Sequence, residues 1–220
     1  IKAVQSIISP IEKLQLQQFN YIAIEGNIGA GKTTLSTKLS EDCNAKLVLE
    51  RFADNPFLPK FYKDQSRYAF PLEMSFLADR YQQLSDDLAQ FDLFKDFVVA
   101  DYHIFKSLIF ASVTLNEDEL VLFKSLFSII NGNIPQPDIL IYLYTPTKQL
   151  LNQINQRGRI YEKYIEEDYL NRIHETYIQT FKQIVDFPVV VIKNQSTPFP
   201  DLAYIQKILN SHLNNGFHVL

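Results

Sequence analysis

Short apolar runs alternate with longer segments of mixed apolar and polar positions along most of this chain. The apolar runs predict strands over residues 21–24, 47–49, 97–100, 139–144 and 188–192. The intervening segments predict helices over residues 33–42, 65–90, 104–112, 117–130, 148–156, 167–185 and 202–213. Strands that are continuous apolar runs are typical of a sheet covered on both faces. The pattern therefore predicts an α/β fold with a parallel five-stranded sheet flanked by helices.

Residues 1–19 alternate apolar and polar positions around Pro10 and predict a lead-in or a linker from a preceding segment. Residues 20–220 are expected to form a single domain. The first residue is Ile rather than Met, so we expect a chain that was processed or trimmed, or that is part of a larger protein. The N-terminus does not match a targeting signal. The longest apolar run, residues 104–113, is too short to cross a membrane.

Composition excludes some classes of protein. Hydrophobic residues make up 46% and charged residues 21% of the 220 residues, which is typical of a globular protein rather than a disordered or fibrous one. The net charge of −4 argues against a nucleic-acid partner, because coating a duplex requires a basic face. A single cysteine fits a reducing compartment, so we expect a cytoplasmic protein with neither nucleic acid nor membrane as its partner.

Three of the six glycines lie in one short segment. Residues 26–33 fit the pattern G-x-x-x-x-G-K-[ST], directly after a predicted strand and at the start of a predicted helix. Glycine permits positive φ and close approach of backbone N–H groups to a phosphate. Lys32 is expected to reach the β- and γ-phosphates, and the Thr33 hydroxyl to bind Mg²⁺. The predicted nucleotide-binding residues are Gly26, Asn27, Ile28, Gly29, Ala30, Gly31, Lys32, Thr33 and Thr34.

Acidic residues follow three of the predicted strands. Ligands of parallel sheets bind beyond the carboxyl ends of the strands, where Glu25, Glu50 and Asp101 are expected. We predict that Asp101 holds Mg²⁺ and that Glu50 accepts a proton from an acceptor hydroxyl. Glu25 is expected to order the loop that follows it.

The segment Arg157-Gly158-Arg159 follows a predicted helix. We predict a lid whose two guanidinium groups neutralise charge on a transferring phosphoryl group. The alternative is a helix C-terminus that Gly158 caps and whose basic residues complement the helix dipole.

Several segments together resemble the deoxynucleoside kinases, and most closely the bacterial deoxyadenosine and deoxyguanosine kinases. The resemblance covers roughly residues 20–190. The segments that carry it are residues 21–34, Asn55-Pro56, Phe61-Tyr62-Lys63-Asp64, residues 142–146, Arg157-Gly158-Arg159 and residues 162–177. The resemblance implies a P-loop kinase fold, a homodimer, and transfer of the ATP γ-phosphoryl group to a deoxynucleoside 5′-hydroxyl with Mg²⁺.

The resemblance also implies roles for individual residues. Glu50 matches the general base, and Tyr62 and Glu162 match the pair that binds the sugar 3′-hydroxyl. Arg80 matches an arginine near the base, and Arg157 and Arg159 match the lid. Phe76 and Phe105 are candidate walls that stack on the base, although aromatic residues on helices are equally typical of the core.

Two positions depart from the family pattern. Glu73 stands where the family has a Gln that reads the base edge, and an ionised carboxylate only accepts hydrogen bonds, unlike an amide. Tyr102 stands where the family has an arginine near the reacting phosphate, which removes a positive charge from the site. Either another cation (Arg51 or Lys106) substitutes, or the acceptor differs, or activity is weak.

The leading hypothesis is a deoxynucleoside kinase with purine deoxynucleosides favoured. One alternative is a nucleoside monophosphate kinase, although the aromatic-rich pocket and Glu73 argue against an acceptor that carries phosphate. The other is a nucleotide-binding module with weak or lost kinase activity inside a larger protein. A specific version of that alternative fuses the domain behind a folate-pathway pyrophosphokinase domain.

Overall fold

The computed structural model describes residues 19–52, 55–90, 92–194, 202–211 and 213–220. Its centre is a parallel sheet with the strand order β2-β3-β1-β4-β5-β6. The strands are β1 Tyr21–Gly26, β2 Lys46–Val48, β3 Val98–Ala100, β4 Ile139–Tyr144, β5 Pro188–Lys193 and β6 Gly216–Val219. All but the last residue of the lead-in predicted over residues 1–19 lie outside the described residues.

Helices connect the strands. They are α1 Lys32–Asp42, α2 Leu58–Phe61, α3 Gln65–Ala89, α4 Phe105–Thr114, α5 Glu117–Asn131, α6 Thr147–Arg157, α7 Glu167–Phe181 and α8 Leu202–Leu209, with a 3-10 helix, Ile160–Tyr164, after α6. All six residues of β1 and the first five of β4 are buried, as expected for central strands covered on both faces. Within the described ranges, no helix is both long enough and apolar enough to cross a membrane.

The prediction of five strands was wrong by one, because the described residues form a sheet of six. The additional strand, β6, pairs with β5 at the edge of the sheet. Its residues are half-buried or exposed and include His218, so it has no continuous apolar run. An edge strand of this kind is recognisable only from its pairing with a neighbour.

Two predicted helices end early. Helix α7 ends at Phe181 rather than at residue 185, because the N–H groups of Gln183 and Ile184 bond to carbonyls three residues back and tighten the chain into turns. Helix α8 ends at Leu209 rather than at residue 213. The short α2 and the 3-10 helix were not predicted.

The strand order brings the ends of β1, β2 and β3 together at one edge of the sheet. The N–H of Asp101, directly after β3, donates to the Val48 carbonyl at 3.0 Å. The N–H of Glu50, just beyond β2, donates to Asp101 Oδ1 at 2.7 Å. The loop after β1 starts α1 beside them, so the predicted acids and the phosphate loop lie in one place.

Candidate active site

The phosphate loop has the backbone that its glycines predict. Gly29 and Gly31 have φ values of 81° and 90°, in the left-handed region that strains other residues. A Cβ at Gly29 would also lie 3.0 Å from Ile154 Cγ1, and one at Gly26 would lie 3.0 Å from the Leu143 carbonyl oxygen. Glycine at these two positions therefore lets the loop pack closely against α6 and β4, and the loop forms a cradle of backbone N–H groups that fits a phosphate.

Lys32 lies across this loop. Its Nζ donates to the carbonyl oxygens of Gly26 at 2.9 Å and Asn27 at 3.1 Å. Burial lowers the pKa of Lys32 to about 8, and the neighbouring Lys106 ammonium lowers it as well. The ammonium form therefore still predominates at neutral pH, in a setting where an added anion would stabilise it.

Thr33 and Asp101, the two predicted Mg²⁺ ligands, are in direct contact. The Thr33 hydroxyl donates to Asp101 Oδ2 at 2.6 Å. Hydroxyl and carboxylate oxygens suit Mg²⁺, which is usually bound by one or two protein groups together with substrate phosphates. Among the described residues, no cluster of three or more His, Cys, Asp or Glu side chains could hold a metal alone. The pair thus fits an ion that arrives with a nucleotide.

The Glu50 carboxylate forms ion pairs with two cations, Arg80 and Lys106. Its Oε1 accepts from Arg80 Nε at 2.9 Å and Nη2 at 2.7 Å, and its Oε2 accepts from Lys106 Nζ. Arg80 Nη1 donates in turn to Ser107 Oγ at 2.8 Å. Burial alone would raise the pKa of Glu50, but Lys106 and Arg80 together outweigh burial and hold that pKa well below its usual range. Glu50 is therefore an ionised carboxylate of fixed orientation.

The two lid arginines fold toward the cavity beside the loop, which they line. Arg157 donates to both carboxylate oxygens of Glu162, with Nη2 at 2.6 Å from each, and Arg159 Nη1 lies 3.3 Å from Oε1. The Arg159 guanidinium also stacks over Phe52 at 4.4 Å. Gly158, with φ of 71°, ends α6 as the capping alternative predicts, and the lid stays a prediction.

The cavity continues from Glu50 and the phosphate loop to two further predicted residues, Tyr62 and Glu73. Tyr62 follows α2 and stacks on Tyr161 at 5.9 Å between ring centroids. Burial and the nearby Glu162 carboxylate raise the pKa of Tyr62, so its hydroxyl keeps its proton. Glu73 on α3 is 2% exposed, and its Oε1 lies 3.1 Å from Thr114 Oγ1. A continuous cavity thus joins a phosphate cradle, a fixed carboxylate and two polar groups.

Comparison with known proteins shows the family of this chain. The family model described as deoxynucleoside kinase matches residues 22–213. The chain belongs to the deoxynucleoside kinase family. A deoxyguanosine kinase of Bacillus subtilis (strain 168) is 42% identical over 164 residues, which cover 74% of this chain and 79% of that protein. A deoxyadenosine kinase of Dictyostelium discoideum is 28% identical over 207 residues, 94% of this chain and 84% of that protein.

The solved structure of deoxyadenosine kinase from M. mycoides with bound dATP has a TM-score of 0.77 to this chain, at 27% identity over 87% of this chain and 100% of that one. The predicted P-loop kinase fold and the predicted phosphotransferase class are therefore confirmed.

Tyr102 occupies the position where the family pattern has an arginine. Tyr102 is fully buried in the core, and His103 packs beside Phe105, where burial lowers the pKa of the imidazole to about 3 and keeps it neutral. Arg51 is exposed, and its backbone N–H, rather than its guanidinium, contacts Gln83. Of the two candidate substitutes, Lys106 is therefore the one that contacts Glu50.

Arg80, expected near the base, lines the cavity but directs its guanidinium to Glu50. Phe76 also lines the cavity, and its ring lies 4.7 Å from the Arg80 guanidinium. Phe105 instead packs against His103 and Phe127, the core alternative that the sequence left open.

Three polar residues of α4, Lys106, Ser107 and Thr114, contact residues that line the cavity. The sequence predicts only Lys106 among them, as one of two substitutes for the missing arginine. Ser107 and Thr114 are seven residues apart, with Phe110 between them, and this is the helical spacing that places side chains on one face. That spacing was the available signal, but it does not show which neighbours the face meets.

Glu25 lies beneath the loop. It is fully buried, its Oε1 accepts from the His103 N–H at 2.7 Å, and its Oε2 accepts from the Tyr177 hydroxyl at 2.9 Å. Burial raises its pKa. These bonds connect β1 to the turn after β3 and to α7, and the Gly26 N–H at the start of the loop lies 3.4 Å from Oε2. That Glu25 orders the loop stays a prediction.

Proposed function

We propose that this kinase transfers the γ-phosphoryl group of ATP to the 5′-hydroxyl of a purine deoxynucleoside. The observation that carries the proposal is the single cavity that joins the phosphate loop, Glu50, Tyr62 and Glu73. These groups match the parts of the two substrates, because the loop suits the triphosphate, Glu50 the reacting hydroxyl, Tyr62 the sugar and Glu73 the base. The deoxyguanosine and deoxyadenosine kinases among the relatives support a purine acceptor.

At the phosphate end, the backbone N–H groups of residues 26–31 and the start of α1 bind the ATP phosphates. Lys32 leaves the loop carbonyls and binds the β- and γ-phosphates. Thr33 and Asp101 would hold Mg²⁺, which when bound neutralises charge on the phosphate oxygens. Arg157 and Arg159 add positive charge beside the transferring group.

At the acceptor end, Glu50 orients the 5′-hydroxyl as a hydrogen-bond acceptor. The 5′-oxygen forms a bond to the γ-phosphorus as the bond to the bridging oxygen breaks, ADP leaves with that electron pair, and the hydroxyl proton passes to Glu50. A carboxylate of low pKa suffices, because in a loose transition state the hydroxyl becomes acidic only as its bond to phosphorus forms. Arg80 and Lys106 keep this carboxylate ionised and in place.

Lys106 takes the place of the arginine that the family has at position 102. It supplies a positive charge beside both Glu50 and the phosphate loop, since it lowers the pKa of Glu50 and also that of Lys32. The absence of an arginine at position 102 was the reason to consider a nucleotide-binding module with weak or lost kinase activity. The charge of Lys106 weakens that reason.

A nucleoside monophosphate acceptor is disfavoured by the pairing of the cations. Arg80 and Lys106 are bound to Glu50, and Arg157 and Arg159 to Glu162. An acceptor phosphate would need a free guanidinium or ammonium group beyond those that serve the donor phosphates.

The decisive assay is ADP formation from ATP and Mg²⁺ with each of the four deoxynucleosides, with and without acceptor. We expect turnover with deoxyguanosine or deoxyadenosine above that with the pyrimidines. Binding of nucleotide without turnover, at high protein concentration and with every deoxynucleoside, would contradict the proposal and favour the binding-module alternative. Turnover of deoxynucleoside monophosphates, with no turnover of deoxynucleosides, would favour the nucleoside monophosphate kinase alternative.

Tyr62 and Glu162 are proposed to bind the sugar 3′-hydroxyl, because both line the same cavity as Glu50 and Glu73. We expect Tyr62→Phe to raise the KM for a deoxynucleoside about five- to tenfold, the cost of one hydrogen bond. The KM for a 2′,3′-dideoxynucleoside should stay unchanged, because that acceptor has no 3′-hydroxyl. The measurement is the ratio of kcat/KM for the two acceptors, with Tyr81→Phe on α3 as the matched control. An unchanged ratio in the Tyr62 variant would remove this residue from the sugar site.

The homodimer, the cytoplasmic location and the fused N-terminal domain stay predictions. The exposed apolar side chains Val121, Leu122 and Ile129 on α5 support a homodimer, since they present an apolar surface to a partner.

A further inference from the structure

The carboxyl group of Glu73 is incompletely bonded at the acceptor end of the cavity. Glu73 is 2% exposed and lines the cavity together with Phe76. Its Oε2 is buried and has no hydrogen-bond partner among the described residues, while its Oε1 lies 3.1 Å from Thr114 Oγ1. A buried oxygen without a partner is costly, so a ligand that donates to it gains affinity.

The Thr114 hydroxyl can serve either protonation state of Glu73. It lies 2.9 Å from the Phe110 carbonyl oxygen and 3.1 Å from Glu73 Oε1, and it has one proton to donate. When Glu73 is ionised, Thr114 donates to it. When Glu73 is protonated, Thr114 turns its proton to Phe110 and accepts. Oε1 has a second lone pair in the ionised state, so both carboxylate oxygens can still accept from a ligand.

Arg80, the nearest cation on the same helix, does not compete for the base. Its Nε and Nη2 bond to Glu50 and its Nη1 to Ser107. Phe76, one turn after Glu73, offers an aromatic surface beside the carboxyl group, suited to stacking. Glu73, rather than Arg80, is therefore the side chain available to form hydrogen bonds with the base.

The four bases differ in what they offer to two adjacent acceptors. Guanine presents two neighbouring donors, N1–H and the N2 amino group. Adenine presents a donor and an acceptor, cytosine presents the same kind of pair, and thymine has one donor between two carbonyls. A carboxylate accepts at both oxygens, so guanine is the base that complements it.

We propose that the ionised Glu73 carboxylate accepts from N1–H and the N2 amino group of guanine, and that deoxyguanosine is thus the preferred acceptor. The inference rests on the proposed function, which it sharpens from purine deoxynucleosides to one base. Two charge-assisted hydrogen bonds to one planar group give both affinity and orientation.

The protonation state of Glu73 should make the choice between deoxyguanosine and deoxyadenosine depend on pH. Burial raises the pKa of Glu73 to about 7, although Arg80 and the Thr114 hydroxyl oppose this rise. A protonated carboxyl donates and accepts, as adenine requires, whereas the ionised form suits guanine. The titratable groups that face this carboxyl are Arg80 on α3, Lys106 on α4, Glu50 after β2, Tyr62 after α2 and Tyr169 on α7. The preference for deoxyguanosine over deoxyadenosine should therefore rise with pH through neutrality.

The test compares kcat/KM for deoxyguanosine, deoxyinosine and deoxyadenosine in the wild type, in Glu73→Gln and in Glu41→Gln, an exposed control on α1. Deoxyinosine lacks only the N2 amino group. We expect the wild type and the control to favour deoxyguanosine over deoxyinosine about 10–100-fold, the cost of one charge-assisted hydrogen bond. In Glu73→Gln this ratio should fall to near one, because an amide pairs with N1–H and O6, which both nucleosides share.

The pH arm measures the ratio of kcat/KM for deoxyguanosine to that for deoxyadenosine between about pH 6 and 8. We expect it to rise by up to about tenfold per pH unit in the wild type and to stay flat in Glu73→Gln. A wild-type ratio of deoxyguanosine to deoxyinosine near one would overturn the inference, even if Glu73→Gln failed to fold. A large ratio that survives in a folded Glu73→Gln would also overturn it. Turnover with no deoxynucleoside would overturn the proposed function, and the inference with it.

Discussion

Replacement of Glu50 by Gln should lower kcat about 10²–10⁴-fold, because the amide cannot accept the proton of the 5′-hydroxyl. The substitution keeps the shape of the side chain but removes the charge that Arg80 and Lys106 surround. The side chain of Glu50 is 8% exposed, so two buried cations lose their partner, which should lower the free energy of unfolding by roughly 3–5 kcal/mol. Both effects follow from the loss of one ionised carboxylate.

Thermal unfolding and nucleotide binding separate the two effects. A folded Glu50→Gln protein that binds ATP within about threefold of the wild type, yet turns over slowly, has lost the chemical step rather than the fold. Glu41→Gln, which changes an exposed glutamate on α1, is the matched control and should keep both activity and stability. Near-normal kcat in folded Glu50→Gln would contradict the assignment of this residue as the base.

Lys106→Met should lower kcat about 10²–10³-fold, the usual cost of removing one charge that stabilises the transition state. Lys106→Arg should retain most of the activity, since it keeps the charge near Glu50. The substitution Lys124→Met on the exposed face of α5 provides a control for loss of a lysine.

The pH profile of Lys106→Met distinguishes an electrostatic role from a purely structural one. Lys106 lowers the pKa of Glu50 and the pKa of Lys32, so its removal should raise both. The acid limb of kcat/KM for deoxyguanosine, where Glu73 and then Glu50 gain a proton, should move to higher pH, because Lys106 also lowers the pKa of Glu73. The alkaline limb, where Lys32 loses its proton, should move to higher pH as well. Reduced activity with an unshifted profile would show that Lys106 only supports the fold.

The parts of the site that could be predicted are those that depend only on residues close together in the sequence. The phosphate loop depends on glycines at positions 29 and 31 that reach positive φ, and the following lysine is then placed by the first turn of α1. Asp101 and Glu50 could be predicted because each follows a buried strand, and parallel strands end at one edge. Pairing partners could not be predicted in the same way, since Lys106 meets Glu50 across 56 positions and Thr114 meets Glu73 across 41.

The sequence by itself determined the α/β class, five of the six strands found in the described residues, the phosphate loop and the acids at the sheet edge. Each of these follows from short-range patterns: apolar runs, glycine conformation and strand ends. The tertiary structure decided that Lys106 rather than Arg51 contacts Glu50, that Arg80 bonds to Glu50, and that Glu73 keeps one oxygen without a partner among the described residues. These depend on how α4 packs against α3, because charge pairing and burial are set by residues distant in the chain.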